Sequence, residues 1–150
     1  MSDEKFECEL PAFQAPAAEI REILTRYRVV AVIGLSPKPD RPSYGVASYL
    51  KNAGYAIIPV HPIAPAILGE KAYPSLTAIP PERGVEIVDI FRRADQLMPH
   101  VEEAIAVGAK VVWFQEGIVN NEAARRAREA GLQVVQNRCM LKEHRALRGD

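Results

Sequence analysis

Arg28-Val-Val-Ala-Val-Ile-Gly-Leu-Ser-Pro-Lys-Pro-Asp-Arg-Pro-Ser-Tyr44 is the stretch that decides the fold. Val29 to Ile33 is continuously apolar and, apart from Ala31, β-branched, as a central parallel strand covered on both faces should be. Gly34 ends that run, a proline-rich polar turn follows, and a helical pattern begins near Ser43. Strand, glycine turn and helix start bring backbone N–H groups and the positive end of a helix dipole to one point, an arrangement that holds phosphate.

Upstream, Ile20, Ile23, Leu24 and Tyr27 recur at helical spacing, so Ala17 to Tyr27 reads as an amphipathic helix feeding the strand. Residues 1–16 read as an N-terminal arm and 17–150 as a single domain. Downstream, Ser43 is the expected N-cap of a helix ending near Ala53, with Val46, Ala47 and Leu50 buried and Gly54 as its stop. Tyr55–Val60, Val85–Phe91, Lys110–Phe114 and Leu132–Val135 read as further strands, with a short edge strand at Gly69–Tyr73. Between them, Leu97, Val101, Ala104 and Ile105 define one helix, with Pro99 in its first turn. Asn120 is the expected cap of another, whose inner face is Ala123, Ala127 and Ala130, with Arg125, Arg126 and Arg128 outside. Arg138 to Leu147 reads as a terminal helix or tail.

This alternation predicts an α/β fold, a three-layer sandwich around a mostly parallel sheet of about five to six strands. In such sheets a ligand lies beyond the carboxyl ends of the strands, where the strand order reverses. Gly34–Ser43, His61–Pro65, Phe91–Arg93 and Gln115–Ile118 are therefore expected along one edge.

Composition narrows the function. The 150 residues carry 19 basic and 19 acidic side chains, a balance unlike that of a nucleic-acid module. The run Val29–Ile33 is too short to span a bilayer, and the acidic N-terminus has no apolar core of a signal peptide. Cys8 and Cys139 form no zinc spacing, so a cytoplasmic protein with reduced thiols and no metal is expected. The dinucleotide fingerprint fails: Gly34-Leu-Ser36 lacks the second and third glycines, and the second strand ends in His61 rather than a carboxylate. NAD is disfavoured, and NADP less so, because Arg41 is a cation available to a 2′-phosphate. No Walker A loop is present. The turn offers Gly34 for close approach, Ser36 as a hydroxyl donor, and Lys38 and Arg41 as cations, with Arg92 and Arg93 arriving from a neighbouring strand end. A ligand with several separate phosphate charges suits that set. One arginine of the pair has a competing partner in Glu86 or Asp95.

Five segments in collinear order carry a resemblance: Gly34-Leu-Ser-Pro-Lys-Pro-Asp-Arg-Pro-Ser-Tyr44, Gly54-Tyr-Ala-Ile-Ile-Pro-Val-His-Pro62, Asp89-Ile-Phe-Arg-Arg93, Trp113-Phe-Gln-Glu-Gly-Ile118 and Asn137-Arg-Cys139. Over about residues 20–145 the chain resembles the small stand-alone CoA-binding domain proteins, themselves similar to the N-terminal domain of the succinyl-CoA synthetase α subunit. The resemblance implies a Rossmann-like fold with CoA at the strand ends. It implies that Gly34 and Ser36 cradle phosphates, with Leu35 contributing backbone, and that Arg41 and Ser43 meet the 3′-phospho-ADP moiety. Pro62, Phe91 and Arg92 would line the adenosine side, and Gln115, Gly117 and Ile118 the pantetheine arm. The chain departs from the family pattern at Leu35, His61 and Asn137, where alanine, asparagine and an acidic residue are usual.

No catalytic set is evident. His61, His100 and His144 match no phosphohistidine motif of the larger relatives, and His100 reads as solvent-exposed. On a helix Cys139 and His144 point about 140° apart, too far for a nucleophile pair. The expectation is a CoA or acyl-CoA binding protein, a sensor or carrier acting through a partner, with homodimerisation left open. The alternatives are an NADP-linked oxidoreductase, a CoA-dependent acyl-transfer component without its partner chain, or an interaction module that has lost its ligand. Trp113 is expected near the pocket mouth.

Overall fold

Strands too short and too apolar to stand alone find their partners in a five-stranded, all-parallel sheet, in the order Ala56–Val60, Val29–Ile33, Ile87–Ile90, Val111–Phe114 and Gln133–Val135. The computed structural model describes residues 10–149. Its elements are α1 (Ala17–Arg26), β1 (Val29–Ile33), α2 (Pro42–Asn52), β2 (Ala56–Val60), β3 (Ala66–Ile67), β4 (Glu70–Lys71), β5 (Ile87–Ile90), α3 (Leu97–Ala106), β6 (Val111–Phe114), α4 (Asn121–Glu129), β7 (Gln133–Val135) and α5 (Met140–Leu147). The fold is α/β and Rossmann-like.

Alternation along the strands builds two cores. Val30, Val32, Ile57, Ile87, Val111 and Trp113 face a layer of α1, α2 and α5, where Leu24, Leu50 and Met140 are wholly buried. Ala31, Ile33, Val88, Ile90, Val112 and Phe114 face α3 and α4. Ala123, Ala124 and Ala127 are the buried stripe of α4, while Ala130 is exposed, because the helix ends at Glu129 before that position turns inward. Asn120 caps α4, its side chain accepting the Ala123 N–H at 3.0 Å. Pro99 falls in the first turn of α3, where its missing N–H costs no intrahelical bond.

The edge beside β2 departs from the single short strand expected over Gly69–Tyr73. β3 and β4 pair with each other through a two-residue turn, Leu68-Gly69, with φ of 57° and 74°. Two successive positive φ values are the mark of a type I′ hairpin. Leu68 hid this signal, because a leucine rarely adopts that backbone. Lys51, on the last turn of α2, holds the hairpin by donating to Leu68 O and pairing with Glu70 at 3.2 Å. Tyr73 then runs beside β2, donating to Pro59 O at 3.0 Å and accepting from His61 N–H at 2.9 Å, which covers that sheet edge.

The N-terminal arm is described from Leu10 onward. Asn121 accepts the Ala12 N–H and donates to Leu10 O, both at 2.7 Å, and the Arg128 guanidinium lies 4.2 Å from the Phe13 ring centre. Cys8 lies outside the described residues. No described helix is long and apolar enough to cross a membrane.

Candidate functional site

Strand order fixes where the site forms. β1 leads to β2 on one side, and the chain then returns to place β5 on the other, so the crevice opens between the ends of β1 and β5. Register aligns those ends: Ile33 pairs with Val60 and with Ile90, and Ile90 with Phe114. The residues that follow, Gly34, His61, Phe91 and Gln115, therefore stand in one row, spanning about 14 Å over three interstrand gaps. This is the edge that topology called for.

Gly34 is the tightest point. Its φ is +81°, and an added Cβ would overlap Phe91 O and stand 3.1 Å from Phe91 C and 3.3 Å from Arg92 Cδ. Only glycine lets the two strand ends close, and closure sets the Arg92 side chain over the start of the turn. Leu35 is wholly buried, so only its backbone faces the turn. The turn is then braced by hydroxyls. Ser43 Oγ accepts the Ser36 N–H at 3.0 Å, and Ser36 Oγ accepts the Lys38 N–H at 3.1 Å. Each hydroxyl accepts a backbone proton and keeps its own O–H to donate.

Ser43 is not the N-cap expected from sequence. Arg41 holds that place with φ −87° and ψ 142°, and Pro42 is the first helical residue. Proline suits the position because it needs no donor there, and this frees the Ser43 hydroxyl for the turn. No side chain among the described residues caps α2. Its dipole and first-turn N–H groups thus face the turn together with exposed Lys38 and Arg41.

The two arginines after β5 part company. Arg93 pairs with Asp95 at 3.4 Å, whereas Glu86 accepts the backbone N–H groups of Arg28 and Val29 at the far end of the sheet. Arg92 has no ion pair among the described residues and is the cation left beside Gly34. Pro62 and Ile63 are exposed on the loop after β2, and Ile63 is 86% exposed. His61 shapes this loop: its Nδ1 accepts the Ile63 and Ala64 N–H groups at 3.1 and 2.9 Å. It is a loop brace.

At the other end of the row, Gly117 and Ile118 form the exit turn of β6. Ile118 N–H donates to Gln115 O at 2.9 Å, and Gly117 N–H donates to Asn137 Oδ1 at 2.6 Å. Asn137 sits at φ +56°, a backbone that asparagine tolerates. Gln115 is buried, and its amide donates to the carboxylate of Asp89 on β5. Burial pushes the Asp89 carboxyl up to about 7, opposed by that hydrogen bond. Its second oxygen has no hydrogen-bond partner among the described residues. Asp89 stood out in the sequence only as a polar residue inside a strand.

Other expectations change. Trp113 is fully buried, its indole N–H donating to Arg138 O at 2.7 Å, so it belongs to the core and not to the pocket mouth. His100 lies on α3, half-buried and 3.9 Å from Glu103, and burial lowers its pKa. Cys139 is the N-cap residue of α5, while His144 is buried and bonded through Nδ1 to Tyr49 OH at 2.9 Å. That bond ties the imidazole to α2. No cluster of three or more metal-ligating side chains occurs among the described residues.

Comparison with known proteins agrees with this geometry. A family model described as CoA binding domain matches residues 28–145. The uncharacterised protein YneT of Bacillus subtilis (strain 168) is 43% identical over 127 residues, covering 85% of this chain and 93% of YneT. A hypothetical protein from Pyrococcus horikoshii OT3 superimposes with a TM-score of 0.87 at 47% identity, covering 94% of this chain and 98% of the other. A structure from Thermus thermophilus, cell-free ID.343, gives 0.81 at 36% identity, covering 89% and 99%. A match that takes in the turn, the row of strand ends and the Asn137 loop leaves one conclusion: the chain belongs to the CoA binding domain family.

Proposed function

We propose that the protein binds CoA or an acyl-CoA along the carboxyl edge of its sheet and serves as a sensor or carrier, working through a partner. The observation that carries this reading is the closure of Gly34 onto Phe91, beside a hydroxyl-braced turn, a helix start with no side-chain cap and two arginines, Arg41 and Arg92, that have no ion pair among the described residues. The phosphates lie on Gly34–Ser36 and the Ser43 hydroxyl. Arg41 and Arg92 supply separate positive charges for a ligand whose phosphates are themselves separated. Pro62, Ile63 and Phe91 form an apolar lip for the adenine, and Gln115, Gly117 and Ile118 flank the pantetheine arm. Residues 17–150 form the binding domain, in the cytoplasm. Among the described residues the site presents no nucleophile next to a base, and in this reading the bound ligand is held without being turned over.

A ligand panel under identical salt tests this: CoA, dephospho-CoA, NAD and NADP, titrated by calorimetry. CoA binding tighter than all three supports the reading. Absence of CoA binding at millimolar ligand overturns it, and equal binding of CoA and dephospho-CoA removes the role of a cation at the 3′-phosphate. Hydride transfer from NADPH to a carbonyl substrate would replace it with an oxidoreductase.

A further inference from the structure

Asp89 is the one buried carboxylate among the described residues, the phosphate-binding turn does not use it, and the row of strand ends explains where it acts. It sits on β5 between Val32 of β1 and Trp113 of β6, on the face covered by α1, α2 and α5. The only hydrogen bond its carboxylate makes among the described residues is the one from Gln115 Nε2, and Oδ2 has no partner among them. Gln115 stands one residue beyond β6, directly in the ligand row. Its backbone is locked on both sides, the N–H to Ile90 O and the C=O by Ile118 N–H. Only its amide is left to turn.

An ionised carboxylate accepts and cannot donate. It therefore draws the amide NH2 of Gln115 inward and forces Oε1 the other way. That oxygen receives no hydrogen bond among the described residues, and the buried unpartnered polar atoms are Asp89 Oδ2 and His100 Nδ1 instead. Oε1 is thus an acceptor held ready at the strand-end edge. We propose that Asp89 is a positioning residue which, through Gln115, presents a fixed carbonyl acceptor to the ligand arm and so selects a secondary-amide N–H donor there. The inference rests on the CoA reading, since the pantetheine arm carries two such amides, and it adds a rule for what the arm must offer. Lose the proton acceptor at position 89, and the Gln115 amide is free to present either end.

The surroundings leave the carboxyl to this task. Val32, Trp113 and Gln115 beside it bear no charge. In the covering layer, the titratable groups His144, Tyr49 and Tyr55 contact one another: His144 Nδ1 bonds to Tyr49 OH and its ring meets Tyr55 edge-on. Burial and the Gln115 bond are what shift the Asp89 carboxyl, with no contribution from a charged neighbour. When protonated, Asp89 can donate to Gln115 Oε1 and turn the amide around.

The test compares CoA with adenosine 3′,5′-bisphosphate, which keeps the nucleotide and lacks the arm. Asp89→Leu is expected to weaken CoA about three- to tenfold, the range of one neutral hydrogen bond, with bisphosphate binding unchanged. Asp89→Asn retains an accepting oxygen and cannot ionise. It is expected to keep most of the preference for CoA and to show none of the wild-type decline in that preference from pH 8 to pH 6. Equal loss of both ligands in Asp89→Leu, or no loss of either, overturns the proposal. Should that variant fail to fold, the pH profiles of wild type and Asp89→Asn decide alone: identical profiles refute it. Failure of the wild type to bind either ligand would overturn the CoA reading itself, a distinct result.

Discussion

Replacing Gly34 by alanine perturbs the point on which the site closes. Two costs add. The backbone at φ +81° charges an alanine about 1 kcal/mol for left-handed geometry. The new methyl would overlap Phe91 O and lie 3.1 Å from Phe91 C, in backbone that cannot swing aside as a side chain would. Relief requires the ends of β1 and β5 to part, which strains the Phe91 N–H to Ile33 O bond of 2.9 Å. Overpacking of this kind adds about 2 kcal/mol, for a total of about 3. For a chain of this length that lowers Tm by about 6–12 °C. Gly84→Ala is the control: φ 63° and ψ 54° carry the same backbone charge, and an added Cβ there meets nothing within 4 Å. It should lose about 1 kcal/mol, or about 2–4 °C. Thermal denaturation followed by circular dichroism reads both, and CoA titration of the folded Gly34→Ala protein reads the site. Equal Tm losses in the two variants, or wild-type CoA affinity in Gly34→Ala, would refute the reasoning.

Three further outcomes follow from the geometry. Arg92→Ala should weaken CoA about ten- to a hundredfold by calorimetry, the worth of a charge-assisted hydrogen bond, while Arg93→Ala, already paired with Asp95, should change it less than about threefold. The Asp89 carboxyl holds its proton in the folded chain up to about pH 7 and loses it near pH 4 when unfolded, so stability falls as pH rises through that window and levels off above it. Asp89→Asn should therefore stabilise the fold at pH 8, by on the order of 4 kcal/mol at most, which thermal denaturation reads as a raised Tm, and change it little at pH 4. Asn120→Ala removes the cap of α4 and the 2.8 Å bond to Ala94 O, together about 2 kcal/mol, so its Tm should drop by about 4–8 °C.

The parts of the fold legible in the sequence were those where one physical requirement dominates. Val29–Ile33 had to be a strand buried on both faces, and Gly34 had to end it. Helix stripes such as Val46, Ala47 and Leu50 announced their own burial, and Asn120 its cap. What stayed hidden depended on neighbours distant in sequence. Ser43 looked like a cap because serine commonly is one; Pro42 takes the helix start and leaves its hydroxyl to brace Ser36. Arg92 and Arg93 were indistinguishable until Asp95 engaged the second. Trp113 looked like a residue of the pocket mouth because it lies two positions from Gln115; strand alternation and the bond to Arg138 O put it in the core. The partnership of Asp89 and Gln115 crosses two strands and has no local signature at all.

The proposed seat of CoA along the carboxyl edge of the sheet is tested most directly by mapping the ligand through amide 1H–15N shifts. Saturating CoA should perturb Gly34–Ser43, the His61–Ala64 loop, Phe91–Arg93 and Gln115–Ile118, and leave Arg28, Glu86 and Lys110 at the opposite edge unmoved. Perturbations confined to that opposite edge, or to the groove between Phe13 and Arg128, would contradict it.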